Sequence, residues 1–354
     1  MDMFGRQWFA PGSQLALEDE ALDFENLLRK GGTSKAIEMA DNKLYMLSES
    51  NVRDYWLRQR VRANRLSHRN IKSSVVTVAF TGFWAGFKEN DNEILNILRK
   101  AASYVGIEVK TCVEDPDLLL YSCFGEPFFS KYPGATRILY LGENVRPDFG
   151  YADYSLTFDI SDYCGKNIYL PLWLLRTAEY AIKTDEYQAC MPDELEQVRI
   201  SNNEKNSVIY IGNNSTATRI QAIRSLRTQG VSVDCFGSQT KPVANKIKTL
   251  EMYRYSLCFE NTYTPGYVTE KIIDSFIGKS RPIYWGGAPR EVFNLDEHFS
   301  CNPYKTMDLN IKDFLEWKRF NTSNTIPPLL IKGGFKKTET SILVKLARIF
   351  LDLF

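Results

Sequence analysis

Residues 255–289, YSLCFENTYTPGYVTEKIIDSFIGKSRPIYWGGAP, are the most densely punctuated stretch of the chain and decide its fold. Tyr255 to Phe259 is aromatic and apolar, which predicts a short buried strand. An amphipathic helix is predicted between Thr269, the expected N-cap, and Gly278, the expected C-terminal stop. Residues 282–285 form the next predicted strand. The stretch is therefore a strand–loop–helix–strand unit, as in α/β proteins.

A lysine lies at an unusual place in this helix. The first turn of a helix has unpaired N–H groups and a partial positive charge, so Glu270 is expected there but Lys271 is not. Either an anion such as a phosphate binds at the helix start, or Lys271 pairs with a nearby carboxylate. Arg219 occupies the same position in an earlier helix capped by Ser215 or Thr216. Two such cations in one domain favour a shared anionic ligand.

Composition excludes several classes of protein. The chain has 354 residues, enough for about two domains. Its 44 Lys+Arg and 43 Asp+Glu residues nearly cancel, which argues against nucleic-acid binding. No apolar run reaches the roughly 18 residues that cross a bilayer. Seven scattered cysteines without a CxxC pair indicate reduced thiols, and only His68 and His298 could supply imidazole to a metal site or a triad.

The two ends of the chain are predicted to be helical. Residues 15–30, 34–47 and 51–65 form three predicted helices, and the third is rich in arginine. A solvated or partner-facing helix is favoured over a nucleic-acid or membrane surface. Residues 340–354 form an apolar helix, for which packing on the protein body is favoured over a membrane anchor.

Two polar motifs in the first half of the chain can be interpreted from their positions relative to predicted strands. Asp115-Pro116-Asp117 resembles the DxD of metal-dependent sugar transferases, but it precedes a predicted strand instead of following one. A turn that leads into the strand is therefore favoured. Glu143 follows the strong strand 138–141. The carboxyl ends of parallel strands form the edge where α/β sheets bind ligands, so Glu143 is a candidate site residue.

Three segments resemble the α-1,3/1,4-fucosyltransferases of glycosyltransferase family 10, bacterial type, the first of them closely. They are FENTYTPGYVTEKIIDSFIGKSRPIYWGGAP at 259–289, LGENVRPDFGYADYSLTFD at 141–159 and VAFTGFWAGF at 78–87. The resemblance covers roughly residues 74–300. It implies the GT-B arrangement, with two Rossmann-like α/β domains facing a cleft. The C-terminal domain would hold GDP-β-L-fucose and the N-terminal domain the acceptor sugar.

The resemblance also implies roles for individual residues. Glu143 falls on the proposed general base. Lys271 and Arg219 resemble the diphosphate contacts, Tyr267 resembles a tyrosine beside the phosphates, and Glu270 resembles the carboxylate that takes the ribose hydroxyls. Other residues that the resemblance places near the ligands are Glu260 and Asn261 for the sugar nucleotide and Phe83 and Trp84 for the acceptor.

The predicted organisation has five parts. They are a helical accessory segment (1–72), an acceptor-side Rossmann-like domain (73–182), a linker (183–206), a GDP-fucose-binding Rossmann-like domain (207–335) and a C-terminal amphipathic helix (336–354).

The resemblance implies inverting transfer of L-fucose to a GlcNAc hydroxyl of an N-acetyllactosamine-like acceptor, in an oligosaccharide or glycolipid of surface glycan synthesis. The alternatives are another GDP-sugar as substrate, or a nucleotide-sugar-binding protein without turnover. No cofactor is expected, and no motif supports a divalent metal. A cytoplasmic location with at most peripheral membrane contact is expected, and oligomerisation through residues 1–72 stays open.

Overall fold

The computed structural model describes residues 14–46, 50–67, 74–125, 129–149, 151–183, 198–200, 205–214, 216–238 and 240–352. The chain divides into two compact units, one formed by Met1–Tyr169 with Ile342–Phe354 and the other by Leu170–Ser341. This division falls before the predicted linker at 183–206, most of which lies outside the described residues. The described residues of the segment 1–72 are grouped with the first unit.

The N-terminal segment is helical, as predicted. Its helices are α1 (Gln14–Arg29), α2 (Thr33–Met46) and α3 (Ser50–Ser67). Their shared core consists of buried apolar side chains: Phe24, Ala36, Ala40, Trp56 and Ala63. The sequence favours a solvated or partner-facing surface for α3, and Arg62 departs from the solvated form of this prediction. This residue is buried and forms ion pairs of 2.5 Å with both Glu25 and Asp153, so it joins the helices to the sheet of the first unit.

The described part of the first unit contains a six-stranded parallel sheet in the order β2-β1-β3-β4-β5-β6. The strands are β1 (Val75–Thr81), β2 (Glu108–Thr111), β3 (Leu118–Tyr121), β4 (Thr136–Leu141), β5 (Tyr154–Thr157) and β6 (Asn167–Tyr169). Helix α4 (Glu93–Ser103) connects β1 to β2 and is capped by the Asn92 side chain. The sequence predicts β4 as the strand at 138–141 and β3 as the strand that follows Asp117, and β6 was not predicted. The loops after β1, β3 and β4 leave the sheet at one edge because the strands are parallel.

The described part of the second unit contains a five-stranded parallel sheet in the order β12-β11-β10-β8-β9. Its strands are β8 (Lys205–Ile211), β9 (Val233–Phe236), β10 (Tyr253–Phe259), β11 (Arg281–Trp285) and β12 (Phe299–Ser300). The helices of this unit include α5 (Leu172–Lys183), α6 (Ala217–Thr228), α7 (Lys246–Leu250), α8 (Glu270–Ile277) and α9 (Met307–Phe320). A short antiparallel pair joins β7 (Val198–Arg199) and β13 (Thr325–Ile326).

The last helix, α10 (Gly334–Asp352), begins earlier than predicted. Its apolar face is buried in the protein, as expected for a packed helix: Ile342, Leu343, Leu346, Ile349 and Phe350. None of the helices in the described part of the chain is both long and apolar enough to cross a membrane. The cysteines that the structure describes are all free thiols, in agreement with the reduced set that the sequence indicates.

Candidate active site

The loop that follows β10 is fastened to the end of β11. The Glu260 amide donates to the Trp285 carbonyl at 2.9 Å, and the Gly266 amide donates to the Gly287 carbonyl at 2.8 Å. The two segments lie so close that a Cβ at Gly287 would be 1.8 Å from the Thr264 carbonyl oxygen. A glycine is therefore required at residue 287 for the loop to reach its place.

We expect Gly287→Ala to loosen this loop. The added methyl group would collide with a backbone atom, so the two segments must separate and break the bond between Gly266 and Gly287. The expected loss of stability is about 1–3 kcal/mol. Thermal unfolding measures this loss. Gly134→Ala is the control, since nothing lies within 4 Å of its Cβ position, and an equal effect of both substitutions would contradict the steric argument.

Glu260 organises the start of α8. Its fully buried carboxylate accepts hydrogen bonds from the Thr269 amide and from the Thr269 hydroxyl, each at 2.8 Å. Thr269 is the N-cap residue as predicted, but its own side chain makes no capping hydrogen bond. The carboxylate supplies the acceptor that a helix start needs. The structure thus places Glu260 beneath the helix terminus.

Lys271 lies on this carboxylate. Its ammonium donates to Glu260 Oε2 at 3.2 Å and to Thr269 Oγ1 at 2.7 Å, and it lies 4.0 Å from Glu270 Oε1. Burial alone would lower the pKa of Lys271, but the carboxylates of Glu260 and Glu270 outweigh burial and raise it. The side chain keeps 20% of its surface exposed. Lys271 therefore pairs with a carboxylate, and its charge is also within reach of a ligand.

Glu270 lies between two ammonium groups. Its Oε1 atom is 3.5 Å from Lys246 Nζ and 4.0 Å from Lys271 Nζ. Burial alone would raise the pKa of Glu270, but the charges of Lys271 and Lys246 outweigh it and lower that pKa to about 2. Glu270 is consequently an ionised acceptor of hydrogen bonds throughout the neutral pH range.

Arg219 joins three segments at the same edge of the sheet. Its buried guanidinium donates to the Phe259 carbonyl through Nε at 3.1 Å and Nη2 at 2.5 Å, to the Asn214 carbonyl at 2.7 Å, and to Asn261 Oδ1 at 2.9 Å. The Thr216 hydroxyl accepts from the Arg219 amide, which confirms Thr216 as the N-cap of α6. Several N–H groups of Arg219 thus already bind protein acceptors. Its contact with a diphosphate stays a prediction.

Asn261 and Tyr267 complete the cluster at the start of α8. The Asn261 amide group donates to the Tyr267 hydroxyl at 3.4 Å, and the Tyr267 backbone amide donates to the Thr264 carbonyl at 3.0 Å. Tyr267 is almost fully buried. The structure therefore brings together all the residues of the second unit that the sequence predicts for nucleotide binding: Arg219, Glu260, Asn261, Tyr267, Glu270 and Lys271.

Sequence reasoning missed the charged residues behind this cluster. Asp274 is buried in α8, and its carboxylate is 3.0 Å from Arg176 Nε of α5 and 2.6 Å from Lys246 Nζ of α7. Asp274 could have been noticed, because it lies one helical turn after Glu270 on the same face. Nothing in the sequence pairs Lys246 or Arg176 with it, since both are distant along the chain.

The first unit has its own polar edge at the end of β4. Glu143 is exposed and follows this strand as predicted. Burial and then the charge of Glu143 raise the pKa of Tyr140. Burial also raises the pKa of Cys123, and the charge of Glu143 adds to that effect. Tyr140 Oη fills the space over Gly142, 3.1 Å from the Cβ position of that glycine.

Aromatic side chains lie next to this edge. The Phe83 ring stacks on Tyr140 with centroids 5.9 Å apart, and it also stacks on Phe87 at 4.1 Å. Trp84 contacts Phe83 at 5.6 Å and Phe124 at 5.8 Å. Trp84 and Phe124 remain 42% and 47% exposed. The predicted residues Phe83 and Trp84 therefore belong to an aromatic surface of the same unit as Glu143, and Phe124 extends it.

Asp117 of the Asp115-Pro116-Asp117 sequence is bound to the neighbouring strand of the sheet. The Asp117 carboxylate accepts from the Thr77 amide and hydroxyl, each at 2.8 Å, and so links the starts of β3 and β1. This confirms the prediction of a turn that leads into a strand. Across the ranges that the structure describes, no group of three or more His, Cys, Asp or Glu side chains is placed to hold a metal ion.

Two family models match the chain, one in each half. Residues 78–176 match the alpha-(1,3)-fucosyltransferase FucT N-terminal domain. Residues 200–317 match the C-terminal domain of glycosyltransferase family 10 (fucosyltransferase).

Individual relatives agree with these matches. Alpha-(1,3)-fucosyltransferase FucT of Helicobacter pylori is 27% identical over 278 residues, which cover 68% of this chain and 56% of that protein. A putative fucosyltransferase-like protein of Arabidopsis thaliana is 33% identical over 78 residues, 21% of this chain and 15% of the plant protein. The chain thus spans little more than half the length of its bacterial relative.

Solved structures show the same fold. A crystal structure of an α1,3-fucosyltransferase with GDP-fucose superposes with a TM-score of 0.55 at 21% identity, covering 80% of this chain and 94% of the other. One with GDP gives 0.53 at 22% identity, covering 79% and 86%. The two parallel α/β units therefore have the fold of the GT-B glycosyltransferases. The chain belongs to glycosyltransferase family 10.

Proposed function

We propose that the protein transfers L-fucose from GDP-β-L-fucose, with inversion, to a GlcNAc hydroxyl of an N-acetyllactosamine-like acceptor. The observation that supports this most directly is the cluster at the start of α8. Glu260, Asn261, Tyr267, Glu270 and Lys271 all lie within the range that the family model matches; Lys271 forms ion pairs with Glu260 and Glu270, and Asn261 hydrogen-bonds to Tyr267.

The second unit would bind the nucleotide part of the substrate. An ionised carboxylate at Glu270 can accept hydrogen bonds from two ribose hydroxyls. Lys271 and the N–H groups at the start of α8 supply positive charge for the diphosphate. Arg219 is a second cation, and its positive charge acts on Lys271 by lowering the pKa of that ammonium, so it would add to the same field. These protein charges would stabilise the negative charge that develops on GDP as it leaves, and the proposal includes no metal ion.

In the transfer step, the acceptor hydroxyl oxygen forms a bond to the anomeric carbon while the bond from that carbon to the phosphate oxygen breaks. GDP leaves with the electron pair, and Glu143 takes the hydroxyl proton. A single displacement of this kind inverts the anomeric configuration. The exposed rings of Trp84 and Phe124, in the same unit as Glu143, provide an apolar surface for the acceptor sugar.

The direct test is incubation of the protein with GDP-fucose and N-acetyllactosamine. We expect a fucosylated trisaccharide and free GDP, detected by mass spectrometry and by a nucleotide assay. GDP-mannose serves as the control nucleotide sugar and is expected to give no transfer. Tight binding of GDP-fucose without transfer or release of fucose would favour a binding protein. Turnover of GDP-mannose alone would favour another GDP-sugar, and either result would overturn the proposal.

A further inference from the structure

A buried carboxylate anchors Lys246 beside Glu270. The Lys246 ammonium is 2.6 Å from Asp274 Oδ2 and 3.5 Å from Glu270 Oε1. Asp274 also pairs with Arg176 through its other oxygen, at 3.0 Å. Lys246 begins α7, whose N-cap residue Asn245 fixes the helix start by accepting from the Lys248 amide at 3.0 Å. The position of the Lys246 side chain is thus set at its backbone by the start of α7 and at its ammonium group by Asp274.

The two carboxylates that Lys246 contacts have different surroundings. The Asp274 side chain is 1% exposed, whereas those of Lys246 and Glu270 are each 30% exposed. Asp274 also has Arg176 as a second cation. The contact of Lys246 with Glu270 is therefore the part of this cluster that a ligand can reach. Burial would lower the pKa of Lys246, but Asp274 and Glu270 outweigh burial and raise it, so the group stays protonated.

Lys246 is a second cation at the Glu270 carboxylate, in addition to Lys271. Lys271 lies 4.0 Å from the same oxygen, Oε1, so two fixed ammonium groups constrain one carboxylate. A carboxylate held in this way loses little conformational freedom when it accepts hydrogen bonds from a ligand.

We propose that Lys246 is a positioning residue for nucleotide binding: anchored on Asp274, it holds the Glu270 carboxylate in place to accept hydrogen bonds from the vicinal hydroxyls of a ribose. This inference rests on the proposed function, in which Glu270 contacts the ribose of a GDP-sugar. If the inference is right, Lys246 makes the protein bind a nucleotide with both ribose hydroxyls more tightly than one without them. In the purely structural alternative, Lys246 only holds α7 and α8 together.

The test compares GDP with 2′,3′-dideoxy-GDP by calorimetry. The wild type is expected to prefer GDP by about tenfold or more, because each lost hydrogen bond to a charged group weakens binding. Lys246→Met should bind dideoxy-GDP as the wild type does and lose most of the preference. Lys246→Arg should restore the preference, since a guanidinium can reach both carboxylates. Glu270→Gln should also reduce the preference for GDP. Adding Lys246→Met to the Glu270→Gln variant should then change that preference little.

Arg176→Met is the matched control. It removes the other cation from Asp274, so it should lower the thermal stability while keeping the preference for GDP. The inference would be overturned if Lys246→Met weakened the binding of GDP and of dideoxy-GDP equally, or if it left the preference for GDP unchanged. If Lys246→Met does not fold, Lys246→Gln provides the same comparison. A wild type that binds no GDP would instead refute the proposed function.

Discussion

Replacing Glu143 by glutamine is expected to lower the rate of fucose transfer by a factor of about 10² to 10⁴, the usual contribution of a general base. Glutamine has the same shape and length but cannot accept the proton of the attacking hydroxyl. The affinity for GDP should not change, because Glu143 belongs to the first unit and the nucleotide cluster to the second. Transfer is measured as trisaccharide formed per enzyme, and GDP affinity by calorimetry.

Glu114→Gln is a suitable control for this substitution. Glu114 is another exposed carboxylate of the first unit, in the loop after β2. Both substitutions lie on the surface, so each should change the free energy of unfolding by less than about 0.5 kcal/mol. Transfer at the wild-type rate by the Glu143 variant, or an equal loss in both variants, would show that the base lies elsewhere.

The strand and helix pattern of this chain was predictable because its signals are local. Apolar runs such as Ile138 to Leu141 predict buried strands, and Thr216 has a side chain that favours the N-cap position it occupies in α6. Strand β6 was missed because it is only three residues long and begins with Asn167, whose buried side chain hydrogen-bonds to the turn beside it. Neither feature gives a periodic apolar signal.

The charged networks were not predictable, since their partners are far apart in sequence. Arg62 looked like one of several surface arginines, yet it is buried against Glu25 and Asp153. Lys271 looked out of place in a helix start until Glu260 appeared beneath it. A sequence gives the charge at each position, but only the fold decides which opposite charges meet and how deeply they are buried.

The ion pair between Lys271 and Glu260 is expected to matter for both stability and nucleotide binding. Lys271→Met should destabilise the second unit by about 3 kcal/mol, because the fully buried Glu260 carboxylate loses its cation. For a unit of this size the corresponding fall in Tm is on the order of 10 °C. GDP affinity should fall by about tenfold or more, since the charge proposed to bind the diphosphate is also lost. Thermal unfolding and calorimetry measure the two effects separately.

The double variant Glu260→Gln/Lys271→Met separates the structural role of Lys271 from its role toward the ligand. It removes both charges and leaves an amide that can still accept from Thr269, so most of the lost stability should return. GDP binding should stay weak, because the cation is still missing. Lys305→Met, which breaks the exposed 2.6 Å pair with Asp313, is the control and should change stability by less than about 1 kcal/mol. If the double variant recovered wild-type GDP affinity, Lys271 would act on the nucleotide only by holding Glu260, and its assignment to the diphosphate would be wrong.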